Sequence, residues 1–138
     1  MPPARVYLWI MLLHGGAACR DPATVLGDAC EPDVTLAASA SLPPTLTWAP
    51  DCAVGLLRVA TEPGNHMWSI ASEPESDLTP TNQIRSGVIY GTVPPKCRQL
   101  GDLVPLTPGD TYRVLLHVRD SQGKDALVGT RLFSVPSE

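Results

Sequence analysis

Four cysteines offer the widest choice of chemistry in this 138-residue chain: Cys19, Cys30, Cys52 and Cys97. Thiols form disulfides, bind zinc or act as nucleophiles. The sequence has no Cys-x-x-Cys pair, and no histidine stands near the last three cysteines with metal-ligand spacing, so we expect no metal site. Disulfide formation is the chemistry that remains, and it requires an oxidising compartment.

Two histidines, His66 and His117, are the candidates for acid–base catalysis after the N-terminal segment. His66 lies in a Gly-Asn-His turn, and His117 alternates out of phase with its apolar neighbours, so both are expected to face solvent. A Ser-His-Asp site needs a histidine braced by a carboxylate and beside a nucleophile, and neither G-x-S-x-G nor H-E-x-x-H occurs. Residues 73–77 hold three carboxylates without the glycine and ligand spacing of a calcium loop. We therefore expect no enzyme and no cofactor.

The N-terminus reads as an export signal. Residues 1–5 carry one cation, residues 6–13 are an unbroken apolar run, and small residues precede Cys19. Gly-Ala-Ala-Cys at 16–19 resembles the lipobox of bacterial lipoproteins, although that family usually has Leu where this chain has Gly16. The resemblance implies a signal peptide over 1–18, lipidation and membrane anchoring of Cys19, and a tether over 19–32. An ordinary signal cut after Ala18, giving a soluble secreted or periplasmic protein, is the alternative.

The rest of the chain reads as short strands separated by turn residues. Hydrophobic residues make up 43% and charged residues 17%, which excludes a disordered acidic chain or a coiled coil. No stretch shows helical periodicity over eleven residues, so the spacing predicts an antiparallel β-sandwich of about seven strands. The candidate strands are residues 34–39, 45–48, 56–60, 67–71, 87–90, 99–103, 112–119 and 130–135.

Two motifs resemble the fibronectin type III family, an immunoglobulin-like β-sandwich. Residues 45–50 (TLTWAP) are similar to its strand B, whose core tryptophan is Trp48 here. Residues 106–112 (LTPGDTY) are similar to its tyrosine corner, and 112–118 to its strand F. The resemblance covers about 33–136 and implies one such domain over 33–138. In this family the corner tyrosine, here Tyr112, hydrogen-bonds to backbone a few residues upstream.

The strand register suggests how the cysteines pair. If the first two strands form a hairpin around residues 40–41, Leu36 faces Leu46, and Cys30 then lies across from Cys52. Cys52 with Cys97 is the rival pair, because strand E of the family lies on the other side of strand B.

A surface is the remaining candidate for function. Alternation along residues 112–119 points one set of side chains outward, and Arg58 on the neighbouring strand is expected to join them. The set comprises Arg58, Arg113, Leu115, His117 and Arg119. An ordinary solvated sheet face is the alternative.

These observations predict a non-catalytic lipoprotein of the bacterial cell envelope with a binding or structural module. Its partner is expected to be a protein or an envelope polysaccharide. Nucleic acid is not expected, because the formal net charge is −4. An accessory or docking domain of an exported enzyme system is the alternative function.

Overall fold

The computed structural model describes residues 28–74 and 81–138. Within those residues every regular element is a strand, and no helix is long and apolar enough to cross a membrane. The expected signal peptide over 1–18, Cys19 and most of the expected tether lie outside the described residues.

In this part of the chain eight strands form two antiparallel sheets, which confirms the predicted all-β architecture and is consistent with a β-sandwich. The three-stranded sheet has the order β1-β2-β5, and the five-stranded sheet has the order β6-β4-β3-β7-β8. The strands are β1 Thr35–Ala38, β2 Thr45–Ala49, β3 Leu56–Thr61, β4 His66–Ser72, β5 Val88–Ile89, β6 Cys97–Gln99, β7 Thr111–Arg119 and β8 Asp125–Ser134.

The core lies between the sheets because alternate residues of each strand face inward. Leu46 and Trp48 of β2 are buried, and so are Leu57 of β3 and Leu116 of β7. Trp68 of β4 is fully buried, and its ring centroid lies 5.1 Å from that of Tyr90. The indole N–H of Trp48 donates to the carbonyl of Cys52 at 2.9 Å, which satisfies the polar atom of a buried ring.

The predicted register of the first hairpin is wrong by two residues. Leu36 pairs with Trp48, and Ala38 pairs with Leu46. The turn is longer than expected: the N–H of Ser39 bonds to the carbonyl of Thr45, so the connection begins after Ala38. Loop length sets hairpin register, and a connection of this length is not one of the tight turns that a sequence pattern identifies.

The strands expected at 67–71 and 87–90 correspond to β4 and β5, but the strand expected at 99–103 needs correction. The strand expected at 99–103 is Cys97–Gln99, and it pairs with β4 at the edge of the five-stranded sheet. The strand beside β2 is β5, where Thr45 pairs with Ile89. Cys97 therefore does not lie on a strand next to Cys52, because the strand carrying it belongs to the other sheet.

Candidate binding surface

The outer face of the five-stranded sheet collects the side chains predicted to face outward. In β7, Tyr112, Val114 and Leu116 are buried, and the residues between them are partly exposed. The register with β3 places Arg58 opposite Leu115. Antiparallel partners point to the same side of a sheet. The five predicted residues consequently share one face.

Arg98 also lies on this face, although the sequence did not predict it. It pairs with Ala71, which pairs with Leu56, which in turn pairs with His117. Arg98 is exposed and lies on the edge strand β6. A three-residue strand is too short to show an alternation of apolar residues. The side of the sheet to which Arg98 points therefore could not be predicted from the sequence. We call the outer side of the sheet that carries Arg58, Arg98, Arg113 and Arg119 the arginine face.

Three of these cations are free of acidic partners within the described residues. The ion pairs between described residues join Arg85 with Asp28 and Arg119 with Asp125. Arg58, Arg98 and Arg113 take part in neither. Arg113 pairs with Ala60, two residues along β3 from Arg58, so the Cα atoms of these two arginines are diagonal neighbours about 7–8 Å apart. Adjacent like charges without counterions repel each other, so an anionic partner would relieve the repulsion.

Arg119 has a structural role that separates it from the other three. Its Nε donates to Asp125 Oδ1 at 3.1 Å. Its backbone N–H donates to Asn82 Oδ1 at 2.8 Å, and its carbonyl accepts from Asn82 Nδ2 at 2.9 Å. A Cβ added at Gly55 would come within 3.0 Å of Arg119 Cγ, so the side chain also packs closely on the residue that precedes β3. Arg119 therefore fixes the end of β7 rather than offering a free charge.

His117 lies at the centre of the face and is partly buried. Its Nδ1 is shielded from solvent and has no hydrogen-bond partner within the described structure. Burial lowers the pKa of His117; the Asp125 carboxylate raises it and the Arg58 guanidinium lowers it further. The imidazole is therefore biased towards its neutral form, and the positive charge of the face comes from the arginines.

Exposed leucines border the arginines. Leu127 and Leu132 of β8 are 50% and 41% exposed. Their partners on β7 are His117 and Arg113, so both leucines belong to the arginine face. Apolar area beside guanidinium groups is a composition that protein–protein interfaces favour, since such interfaces are enriched in arginine and bury apolar surface at their centre.

The three cysteines that the structure describes, Cys30, Cys52 and Cys97, do not form a reactive site. The structure joins Cys30 to Cys52 with a Cα–Cα distance of 4.9 Å, which confirms this pair and excludes the rival with Cys97. Cys97 is buried and forms no disulfide with another described residue; burial raises its pKa, and the nearby Glu73 carboxylate raises it as well. A thiol held in its protonated form is a poor nucleophile.

The disulfide forms for a reason other than the predicted register. The chain turns at Asp33, whose φ is 71°, and Ala29 then forms a parallel bridge with Ala53. This bridge, with the Cys30 N–H donating to the carbonyl of Ala53 at 2.9 Å, brings Cys30 beside Cys52.

His66 contacts a serine, but the arrangement does not form a triad. Its Nδ1 lies 3.3 Å from Ser69 Oγ, and its Nε2 lies 3.1 Å from the backbone carbonyl of Asp102. Ser69 is buried at 4% exposure, so its hydroxyl cannot reach a substrate carbonyl, and no carboxylate orients the ring. Among residues 28–74 and 81–138, no three His, Cys, Asp or Glu side chains are grouped to hold a metal ion.

Two surface hollows of the described structure are lined by none of the four arginines of the arginine face. One of about 520 Å³ adjoins Tyr112 and includes Glu62 and Asp110. Another of about 410 Å³ lies along β5 and includes Ile89 and Val93. Neither brings together a nucleophile, a base and an oxyanion donor.

Comparison of the chain with protein-family models, curated proteins and solved structures finds no match. Function is therefore inferred from the chemistry of the surface.

Proposed function

We propose that this protein is a non-catalytic binding module of the bacterial cell envelope that docks an acidic protein partner through the arginine face. The observation that carries the proposal is the trio Arg58, Arg98 and Arg113 on one sheet face without ion-pair partners among the described residues. Guanidinium groups bind carboxylates bidentately. The neighbouring Leu127 and Leu132 supply apolar area that a polypeptide partner would cover, and a hydrophilic polysaccharide would not use it.

The test is capture from solubilised cell envelopes on the immobilised protein. Attraction between exposed charges weakens as ionic strength rises, because at 0.1 M salt it is largely screened beyond about 10 Å. We expect captured proteins to be acidic and to elute as salt rises. Retention that is insensitive to salt, or capture of neutral polysaccharide alone, would contradict the proposal.

We further propose that the sandwich is of the fibronectin type III kind. The order β1-β2-β5 in one sheet and β4-β3-β7-β8 in the other corresponds to A-B-E and C′-C-F-G of that family, with β6 as an added edge strand. Tyr112 supports the assignment, because its hydroxyl accepts the N–H of Thr107 at 2.8 Å, as a tyrosine corner requires. An experimental structure with a different strand order would contradict it.

Export and anchoring complete the proposal. A disulfide persists in oxidising compartments, so Cys30–Cys52 indicates a location outside the cytoplasm. The lipobox-like segment before Cys19 supports a lipid anchor at that residue. We expect the protein to incorporate labelled palmitate and to fractionate with membranes, and Cys19→Ser to abolish both. Membrane retention without label would contradict the anchor and leave the binding proposal intact.

A further inference from the structure

Strand β8 is a long edge strand with an open C-terminal half. It ends the order of the five-stranded sheet and runs for ten residues, Asp125–Ser134. Val34 covers its N-terminal half, where the Val34 N–H donates to the carbonyl of Val128 at 3.1 Å. No other backbone group in the described structure bonds to the outer edge of β8.

The alternation of backbone hydrogen bonds along β8 shows which residues point their N–H and C=O groups to the open edge. The N–H of Val135 donates to the carbonyl of Asp110 at 3.0 Å, so Val135 bonds towards the β7 side. In an antiparallel ladder the bonding direction alternates with each residue. Residues 131 and 133 thus bond to β7, while the backbone N–H and C=O groups of Thr130, Leu132 and Ser134 point to the outside.

The open half lacks the usual protection of an edge. Edges are blunted by proline, bulges or charged side chains. The bulge in the β7–β8 ladder lies between Leu116 and His117, away from residues 130–134. The one charged residue in this stretch, Arg131, is turned aside, since its guanidinium donates to the carbonyl of Leu36 at 2.9 Å.

We propose that residues 130–134 pair with the same residues of a second copy of this chain, antiparallel about a two-fold axis at Leu132. In this register the outward groups of Thr130, Leu132 and Ser134 all meet complementary backbone groups. The side chains are complementary as well. Leu132, which is 41% exposed, covers its own counterpart, and Thr130 lies opposite Ser134 of the second copy, a pairing that can hydrogen-bond.

This dimer joins the two five-stranded sheets into one continuous sheet. The two Arg113 residues would lie about 14 Å apart, which is three strand spacings of about 4.8 Å. Because antiparallel partners point to the same side of a sheet, both arginine faces lie on the same side. A junction this short buries less than the roughly 1,200 Å² of stable interfaces. We therefore expect a weak, concentration-dependent dimer.

The register makes a cysteine cross-link the sharpest test. In the proposed dimer the two copies of residue 132 form a hydrogen-bonded pair with Cα atoms about 5.5 Å apart, which is within disulfide range. Leu132→Cys should cross-link under mild oxidation. Leu127→Cys is the matched control, because residue 127 is on the same strand and more exposed, yet its two copies would lie about 33 Å apart. Equal cross-linking of both variants, or none, would overturn the proposal.

Leu132→Pro tests the backbone pairing by a second route. Proline is tolerated on an edge strand where the N–H faces outward, so the fold should survive, which circular dichroism checks. Analytical ultracentrifugation of the purified protein should show a dimer at high concentration that the proline variant lacks. A wild-type protein that is monomeric up to about 1 mM would overturn the proposal. Capture by the arginine face does not depend on this outcome.

Discussion

The outer faces of the two sheets differ, although their inner faces follow the same rule. On the three-stranded sheet every outward strand position holds an uncharged residue: Thr35, Ala37, Thr45, Thr47, Ala49 and Ile89. On the five-stranded sheet the outward positions hold four arginines and one acid, Asp125. A solvated sheet face needs no charge to fold, as the first sheet demonstrates. Arg58, Arg98 and Arg113, which form no ion pair among the described residues, therefore call for an explanation outside the fold.

The largest expected loss of stability concerns the inner faces of the two sheets, which both contribute buried side chains to the core. Trp48 of the three-stranded sheet and Trp68 of the five-stranded sheet are both buried. Replacing either with Ala empties core volume and should lower the free energy of unfolding by about 3–5 kcal/mol. Urea denaturation measures it, with Leu42→Ala, at a 50% exposed site, as the control. A small loss for Trp48→Ala alone would show that the three-stranded sheet does not share the core.

The second largest loss of stability is expected from removing the disulfide that joins the segment before β1 to the segment after β2. The Cys30–Cys52 bridge spans a sequence separation of 22, and a loop of that size should contribute about 3 kcal/mol. The double variant Cys30→Ser, Cys52→Ser should show this loss. Non-reducing peptide mapping of the wild-type protein should link these two cysteines, and a link from Cys52 to Cys97 would contradict the structure.

A smaller effect is expected at the corner that begins β7. Tyr112→Phe keeps the buried ring but leaves the N–H of Thr107 without its acceptor. An unpaired, partly buried donor should cost about 1–2 kcal/mol. Amide hydrogen exchange at Thr107 should speed up in the variant. Unchanged exchange would mean that the hydroxyl does not hold the corner.

The alternation in β7 could be predicted from sequence because burial of every second residue leaves a local pattern. Tyr112, Val114 and Leu116 are apolar and the residues between them are mixed, so the outward set followed directly. Arg98 could not be predicted, since a three-residue edge strand has too few positions to show a period. The ion pair of Arg119 with Asp125 depends on the β7–β8 register, which the bulge near His117 shifts by one residue.

The disulfide illustrates a correct pairing reached through a wrong register. The hairpin sets Leu36 against Trp48 instead of Leu46, because the loop after Ala38 is longer than a tight turn. Cys30 still meets Cys52 because the chain turns at Asp33 before the ladder begins. Backbone turns of this kind leave little trace in residue type, so the geometry is visible only in the folded chain.

The effect of pH on stability through His117 is expected to be smaller than the loss caused by Tyr112→Phe. The pKa of His117 is lowered in the folded protein, first by burial, so the unfolded chain binds the proton more readily. Stability should be constant above the unfolded pKa of about 6.5 and should fall as the pH drops towards the folded pKa. Urea midpoints at pH 7.5 and 5.5 measure this. His117→Gln should remove the part of this stability loss that His117 causes. An equal loss in the wild-type protein and in the variant would contradict a buried neutral imidazole.

The arginine face should matter least for folding. Replacing Arg58, Arg98 and Arg113 together with Ser removes exposed or partly exposed side chains that form no ion pair among residues 28–74 and 81–138. The unfolding free energy should therefore change by about 0.5 kcal/mol or less. The matched control removes three cations elsewhere: Arg85→Ser, Lys124→Ser and Lys96→Asn. Asparagine is chosen for Lys96 because that residue has a φ of 60°, which asparagine adopts readily.

Capture of envelope proteins by these two variants, compared with the wild-type protein, tests the central claim most directly. Both variants lose the same net charge, so a general electrostatic effect would weaken them equally. The account predicts that the control captures the wild-type set of acidic partners and that the Arg58, Arg98, Arg113 variant captures none of them. Equal capture by all three proteins would show that the arginine face is only a solvated side of the sheet.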